Sequence, residues 1–214
     1  MKCVIMAGGR YGDPEQYRRW LQRAELVVAA DAGADFAWRI GVRPQAVVGD
    51  MDSVAPHVLE TMERQGVEIV RHPAEKDCTD TQLALALAEE RGAREIVVMG
   101  WEGDRLDHVL SNLFSGVAPL HRGVEMTYAA PGLTVYLIAA DRELEGTLGD
   151  LVSVVALSEA AVGVSLEGFQ YPLEDATLRY SYPFAVSNRL LRSPARIGLR
   201  QGVLAVFHYL SPAG

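Results

Sequence analysis

The chain has 214 residues, 49% hydrophobic and 22% charged, a balance that excludes a disordered chain and lets a core form without disulfides or structural metal. Its 20 basic and 28 acidic residues give a net charge of −8, which opposes binding along a nucleic-acid backbone or an anionic membrane. The longest uncharged stretches, such as residues 127–140, are broken by Pro131 and Gly132, so no bilayer span is expected.

Residues 1–9 carry one cation and an apolar run cut off by Gly8 and Gly9, too early for a signal peptide, and they read as a first strand. Apolar, often β-branched runs then recur at 25–30, 45–48, 67–71, 94–99 and 124–128, separated by segments of helical length. That alternation predicts a Rossmann-like, doubly wound parallel sheet with helices on both faces. The clearest helix is expected over 79–91, with Leu83, Leu87 and nearby alanines on its apolar face and Gly92 as its stop. Beyond about residue 130 the runs shorten and alternate, at 133–138, 151–156, 162–166, 177–180 and 203–209, between Gly, Pro, Ser and Asn turn signals. This half is expected to be an all-β sandwich or barrel. Two domains follow, 1–130 and 131–214, the first with 14 basic and 20 acidic residues and the second with 6 and 8. Cys3 and Cys78 suggest neither a disulfide framework nor a cysteine zinc site, which fits a reducing cytoplasm.

In an open parallel sheet the ligand crevice lies past the carboxyl ends of the strands, and acids collect there in this sequence. Asp31 follows the second strand, Asp50 and Asp52 the third, Asp77 and Asp80 the fourth, and Asp104 and Asp107 the fifth. Crowded carboxylates raise one another's pKa unless a cation compensates them, and a divalent metal does so economically. In Gly49-Asp50-Met51-Asp52-Ser53 a regular strand would aim the two aspartates to opposite faces. A turn permitted by Gly49 lets them converge, with Ser53 left to cap a helix starting near Val54. The plainer alternative is that both acids only dress a turn and a helix start.

Glu75-Lys76-Asp77-Cys78-Thr79-Asp80 likewise has two readings. Asp77 as N-cap and Asp80 in the first turn would serve the helix alone, whereas Mg²⁺ with substrate phosphate would use the carboxylates and leave Lys76 to neutralise a phosphate. A third cluster, Gly100-Trp101-Glu102-Gly103-Asp104-Arg105-Leu106-Asp107-His108, is a glycine-punctuated loop between a strand and a helix, a phosphate-type location. Arg105 is its natural bidentate phosphate partner, and Asp107 and His108 either position a nucleotide or bond the loop backbone. Neither G-x-G-x-x-G nor a P-loop motif is present.

Together these clusters resemble the thiamine pyrophosphokinase family, whose members carry Asp-Gly-Gly/Ala-Ala, Gly-Asp-x-Asp-Ser, Lys-Asp-x-Thr-Asp and Gly-x-x-Gly-x-Arg-x-Asp-His elements in this order. The corresponding segments are Asp31-Ala32-Gly33-Ala34, residues 49–53, residues 76–80, and residues 100–108 followed by Asn112. Residues 163–173 and Ser187-Asn188 are similar to that family's β-domain elements. Asp104 departs from a second glycine common in the family, and Arg189 stands where bacterial members often have an acid.

The resemblance implies a Mg²⁺-dependent homodimer that moves the terminal diphosphate of ATP to the hydroxyethyl oxygen of thiamine, giving thiamine diphosphate and AMP. It implies metal ligation by Asp50, Asp52 and Asp80, supported by Asp31 and Asp77. It assigns electrostatic roles to Arg105 and Lys76, and nucleotide positioning to Gly103, Asp107, His108 and Asn112. Thiamine is expected against Tyr171, Ser187 and Asn188 of the β-domain, which is also expected to carry dimerisation, opposite the α/β domain of the other subunit. An aromatic ring can stack on a pyrimidine or face a thiazolium, the plainer alternative being that Tyr171 serves packing. Two other functions remain compatible with the motifs: diphosphate transfer to another small alcohol such as a hydroxymethylpterin, and a regulatory module that holds Mg-ATP without turnover.

Overall fold

Cys3, Val4, Ile5 and Met6 are all buried, and so is every residue from Leu26 to Ala30, the mark of strands covered on both faces. In the computed structural model, which describes residues 1–211, such strands build the first of two compact units, Met1–Pro131. It runs β1 (Lys2–Met6), a 3-10 turn (Pro14–Tyr17) leading into α1 (Arg18–Leu21), β2 (Leu26–Ala30), α2 (Gly33–Arg39), β3 (Ala46–Gly49) and α3 (Pro56–Arg64). It continues through β4 (Glu68–Arg71), α4 (Asp80–Glu90), β5 (Glu95–Met99), α5 (Leu106–Ser115), α6 (Val117–His121) and β6 (Glu125–Ala130).

These six strands are parallel, in the spatial order β6-β5-β1-β2-β3-β4. β1 therefore has β2 on one side and β5 on the other, and the direction of sheet growth reverses there. A reversal of this kind leaves a crevice past the carboxyl ends of the two strands, because their following loops turn to opposite faces. Gly9 sits at that point: its N–H donates to Gly100 O at 2.8 Å, and a Cβ on it would fall 2.0 Å from Glu102 O. Glycine is thus required by two backbones in contact.

Val4, Met6, Val27, Ala29, Val47, Val97 and Met99 pack with Phe36 and Ala37 of α2 and Val58 and Met62 of α3. Alternate strand residues such as Ile5, Val28 and Val98 are buried too, and α4 packs on β1, β2 and β3. At the sheet's edge, β4 begins with Glu68 and ends with Arg71, both exposed, charges that discourage pairing with another chain.

α4 is the helix expected over 79–91, and Thr79 rather than Asp77 is its N-cap. Thr79 Oγ1 accepts from Gln82 N at 3.2 Å while Gln82 Oε1 accepts from Thr79 N at 2.8 Å, a reciprocal capping box. Thr79→Ala should cost about 1 kcal/mol, read as a lowered urea midpoint with unchanged slope. The buried face consists of Thr81, Ala84, Leu85 and Ala88, with Leu83 and Leu87 only half-buried. The small residues let the helix approach the sheet closely, which moves the expected leucine face to the flank.

The second unit begins at Gly132 and contains β7 (Leu133–Ile138), β8 (Arg142–Leu144), β9 (Leu151–Ala156), β10 (Ala160–Glu167), β11 (Leu173–Arg179), β12 (Asn188–Arg189), β13 (Ala195–Gly198) and β14 (Leu204–Tyr209). All of their pairings within the unit are antiparallel, in the orders β12-β9-β14-β7 and β11-β10-β13-β8. β9 alternates as a one-sided strand should, with Val152, Val154 and Ala156 buried and the residues between them partly exposed. One core draws Val152, Val154, Leu204 and Val206 from the first group and Leu144, Val164, Leu166, Leu178 and Ile197 from the second. The short strands β8, β12 and β13 escape sequence reading because two to four residues carry too little alternation to register. Among the described residues no helix is long and apolar enough to cross a membrane.

Candidate active site

Asp50 and Asp52 converge because the backbone between them bends into the left-handed region. Met51, at φ +68°, makes that bend although it is neither Gly nor Asn, and it is held there with its side chain buried. Gly49, at φ +147°, contributes the turn expected of it. A Cβ on Gly49 would lie 3.0 Å from Asp80 Oδ1 and 3.1 Å from Asp31 Cβ, so its missing side chain is also what lets the acids gather. Asp31, past the end of β2, is likewise left-handed at φ +45°, and its N–H donates to Val48 O at 2.9 Å. Unfavourable backbone conformations at two acidic turns on one strand edge are the kind of strain that clusters at functional sites.

The outcome is three carboxylates, from Asp31, Asp50 and Asp52, whose ligand oxygens all lie within 4.8 Å of one another. Burial, opposed by a hydrogen bond from Ala32 and reinforced by the neighbouring Asp80 and Asp50 charges, pushes the Asp31 carboxyl above the usual range. Its Oδ1 is buried with no hydrogen-bond partner among the described residues. Asp50 goes the other way: the Asp52 N–H and the Lys76 ammonium hold its carboxyl below the usual range. Hard oxygen donors, one of them buried and unsatisfied, suit a Mg²⁺ ion. Ser53 does not cap the next helix. Its hydroxyl donates to Asp52 Oδ1 at 2.8 Å, and α3 starts two residues later than expected behind Pro56, with the Asp35 carboxylate accepting from Ala55 N at 3.2 Å.

Lys76 Nζ lies 3.2 Å from Asp50 Oδ2 and 3.1 Å from Asp80 Oδ1, and little of the side chain is exposed. Burial opposes its charge, but the Asp80 and Asp50 carboxylates beside it keep its ammonium above the ordinary lysine range. Lys76 is therefore a tie between two acidic segments. Asp77 is exposed and does not line the cleft, and Glu75 is exposed as well.

A cleft of about 530 Å³ opens at the switch point between β1 and β5. Asp31, Asp50, Asp52 and Asp80 line one part of it, and Gly103, Arg105, His108 and Asn112 another. A Cβ on Gly103 would meet nothing within 4 Å. The Arg105 guanidinium pairs with Asp107, Nη2 to Oδ2 at 2.6 Å and Nε to Oδ1 at 3.3 Å, both side chains exposed. Asp107 thus holds the Arg105 fork and does not itself line the cleft. Asn112 Nδ2 donates to Trp101 O at 2.9 Å, pinning the loop after β5. Asp104, the departure noted in that loop, pairs with Arg10 from the loop after β1.

Sequence reading missed Ser111 and Glu102 in the cleft wall. Ser111 stands three residues after His108, one helical turn on, so spacing on α5 could have found it. Glu102, whose carboxyl burial raises, follows no spacing rule and was legible only as one more acid in the loop.

In the second unit Tyr171 is 61% exposed while Asn188 is 3% exposed. Asn188 Oδ1 accepts from Tyr171 N at 2.9 Å and its Nδ2 donates to Tyr171 O at 2.7 Å, so its amide clamps the Tyr171 backbone. Ser187, at φ +58°, donates its N–H to Ser153 Oγ at 3.0 Å.

Carboxylates gathered at the switch point of a parallel sheet, with a guanidinium and a glycine loop on the opposite lip, suit a polyphosphate carried with a divalent cation, and in class the chain is a phosphoryl-group transferase. Family models agree in detail: "thiamin pyrophosphokinase, catalytic domain" matches residues 17–128 and "thiamin pyrophosphokinase, vitamin B1 binding domain" matches residues 136–204. The chain belongs to the thiamin pyrophosphokinase family. Among its relatives, the thiamine pyrophosphokinase of Bacillus subtilis is 27% identical over 214 residues, spanning 95% of this chain and 97% of the relative. Thiamine pyrophosphokinase 1 of Oryza sativa subsp. japonica is 25% identical, spanning 82% and 75%. The crystal structure of the B. subtilis enzyme superposes with a TM-score of 0.88 at 22% identity, covering 99% of this chain and 100% of that one. That of the thiamin pyrophosphokinase of Geobacillus thermodenitrificans gives 0.82 at 25% identity, covering 100% and 99%.

Proposed function

We propose that this chain transfers the terminal diphosphate of ATP to thiamine, with the first unit holding Mg-ATP and the second the vitamin. The observation that carries the reading is the Asp31, Asp50 and Asp52 cluster in the switch-point cleft, inside the segment matched to the catalytic-domain model. The match of residues 136–204 to a vitamin B1 binding domain argues against a pterin acceptor and against a purely regulatory module. In this reading the first unit is doubly wound, since α2 and α3 share one core with one set of strand residues and α4 packs on the same strands. The second unit is a sandwich, since one core draws on both its strand groups.

The hydroxyethyl oxygen of thiamine attacks the β-phosphorus and gives up its proton to solvent, the bond from that phosphorus to the α,β-bridging oxygen breaks, and AMP departs on that oxygen. Catalysis then rests on aligning donor and acceptor and on neutralising charge on phosphoryl oxygens. Asp31, rather than the expected Asp80, joins Asp50 and Asp52 in the group that would hold Mg²⁺, with Asp80 steadied beside them by Lys76. When bound, Mg²⁺ supplies charge neutralisation on the phosphate oxygens. Arg105, released from Asp107 toward the phosphates, gives a planar two-pronged contact. Gly103 leaves room beside the nucleotide, and His108 and Asn112 shape that wall. Tyr171 offers its ring to thiamine, Ser187 its hydroxyl, and Asn188 holds the segment.

The protein works in the cytoplasm as a homodimer in this reading. Leu106, Leu110 and Phe114 are 74%, 56% and 52% exposed at four-residue spacing on α5, an apolar stripe that a second copy would cover. Leu110→Asp should shift sedimentation from dimer to monomer; an unshifted dimer would place the interface elsewhere. The reaction itself is tested by incubating the pure protein with ATP, Mg²⁺ and thiamine and weighing the products. Thiamine diphosphate with AMP is expected. ADP with thiamine monophosphate, or reaction of a hydroxymethylpterin in place of thiamine, would overturn the proposal.

A further inference from the structure

The second unit buries an ionisable pair that the reaction scheme leaves unused. Asp150 and His208 are 2% and 1% exposed, and Asp150 Oδ2 lies 2.8 Å from His208 Nε2. The same carboxylate accepts from Thr147 N at 2.9 Å and Ser211 N at 3.0 Å. Burial works against its charge, yet the hydrogen bonds from Ser211, His208 and Thr147 hold its carboxyl down at about 2. Three groups are thereby drawn onto one residue just before β9.

From this hub a continuous set of contacts leads to the exposed Tyr171. The Asp150 carbonyl accepts from Leu190 N at 3.0 Å, and Gly149 N donates to Leu190 O at 2.8 Å. Arg189 Nη1 donates to Gly149 O at 2.8 Å. That fixes β12 and the residue after it, and β12 carries Asn188, whose amide makes both hydrogen bonds to the Tyr171 backbone. Gln170 N adds a bond to Arg189 O at 2.9 Å. Packing backs the same line, since a Cβ on Gly146 would strike Leu190 Cδ1 at 2.6 Å and His208 Cε1 at 2.7 Å.

We infer that Asp150 and His208 are positioning residues for the acceptor: through the turn at Gly149, Leu190 and Asn188 they hold the Tyr171 segment in the shape that receives thiamine. The inference rests on the proposed reaction for its ligand but not for its mechanics, so two readouts separate them. Amide hydrogen exchange reports the mechanics without any substrate. Asp150→Asn and His208→Phe should each speed exchange at Tyr171 and Gln170 at least about tenfold relative to the core amides of β14, with His208→Gln, which keeps a donor toward Asp150, restoring slow exchange. In steady-state assays the two disruptive variants should raise KM for thiamine about tenfold while KM for ATP stays constant, and His208→Gln should bring it back.

Unchanged exchange at Tyr171 in folded Asp150→Asn and His208→Phe would overturn the positioning role even if the protein makes thiamine diphosphate. A lowered kcat with both KM values unchanged would do the same, because it is the mark of a smaller folded fraction. Should Asp150→Asn fail to fold, the comparison of His208→Phe with His208→Gln makes the same decision. A wild type that does not use thiamine, yet shows the expected exchange pattern, would remove the ligand and leave the mechanical link standing.

Discussion

Asp52→Asn is expected to make thiamine diphosphate at least about a hundredfold more slowly than the wild type at saturating ATP and Mg²⁺, with an unchanged thermal melt. The substitution preserves shape and replaces one hard anionic donor by a neutral amide. Asp52 is exposed, and its contacts include a hydrogen bond from Ser53 and its own N–H to Asp50 Oδ1, both of which an asparagine can keep. The fold therefore loses little. The cluster of Asp31, Asp50 and Asp52 loses a third of its charge, and the remaining pair must balance the same cation. Chelation of Mg²⁺ should lower wild-type turnover to a similar floor, and added Mg²⁺ should restore the wild type but not the variant. Wild-type turnover by Asp52→Asn would remove it from the metal site.

Gly33→Ala should destabilise the first unit by about 3 kcal/mol, at the upper end of what overpacking costs. An added Cβ would lie 1.8 Å from Met6 O and 2.6 Å from Met6 C, closer than any real contact. Met6 cannot yield easily, because it is paired with Ala29 on β2 and Met99 on β5. α2 must lift instead, and with it the turn at Asp31. The loss should appear as a lower urea midpoint, accompanied by weaker Mg²⁺-dependent turnover. Gly103→Ala is the control: with no atom within 4 Å of the new Cβ, its midpoint should match the wild type. Equal midpoints for Gly33→Ala and Gly103→Ala would mean that α2 approaches β1 less closely than the structure has it.

Much of the architecture could be read from pattern. Strands covered on both faces are apolar throughout, so β1, β2 and β5 stand out as unbroken runs, while β9 shows through alternation. α4 was legible because a helical run ends at a terminal glycine, although its cap and its buried face were not. That face depends on how near the helix lies to the sheet, which small side chains decide and periodicity does not report. Of the acids, Asp31, Asp50, Asp52 and Asp80 share the cleft as expected, whereas Asp77 points to solvent and Asp107 serves Arg105.

Chemistry close along the chain was therefore written in the residues themselves: acids after strands, a glycine-rich loop before a helix, and enough family motif to anticipate the reaction. Which acids meet, however, depended on Met51 and Asp31 adopting left-handed backbones, a choice made by packing around them against their intrinsic preference. The same holds for Asp150 and His208, far apart in sequence and unremarked there, whose partnership exists only because β14 is paired alongside β9. Local order travels with neighbouring residues, but a charge's partner is set by the strand lying next to it in space.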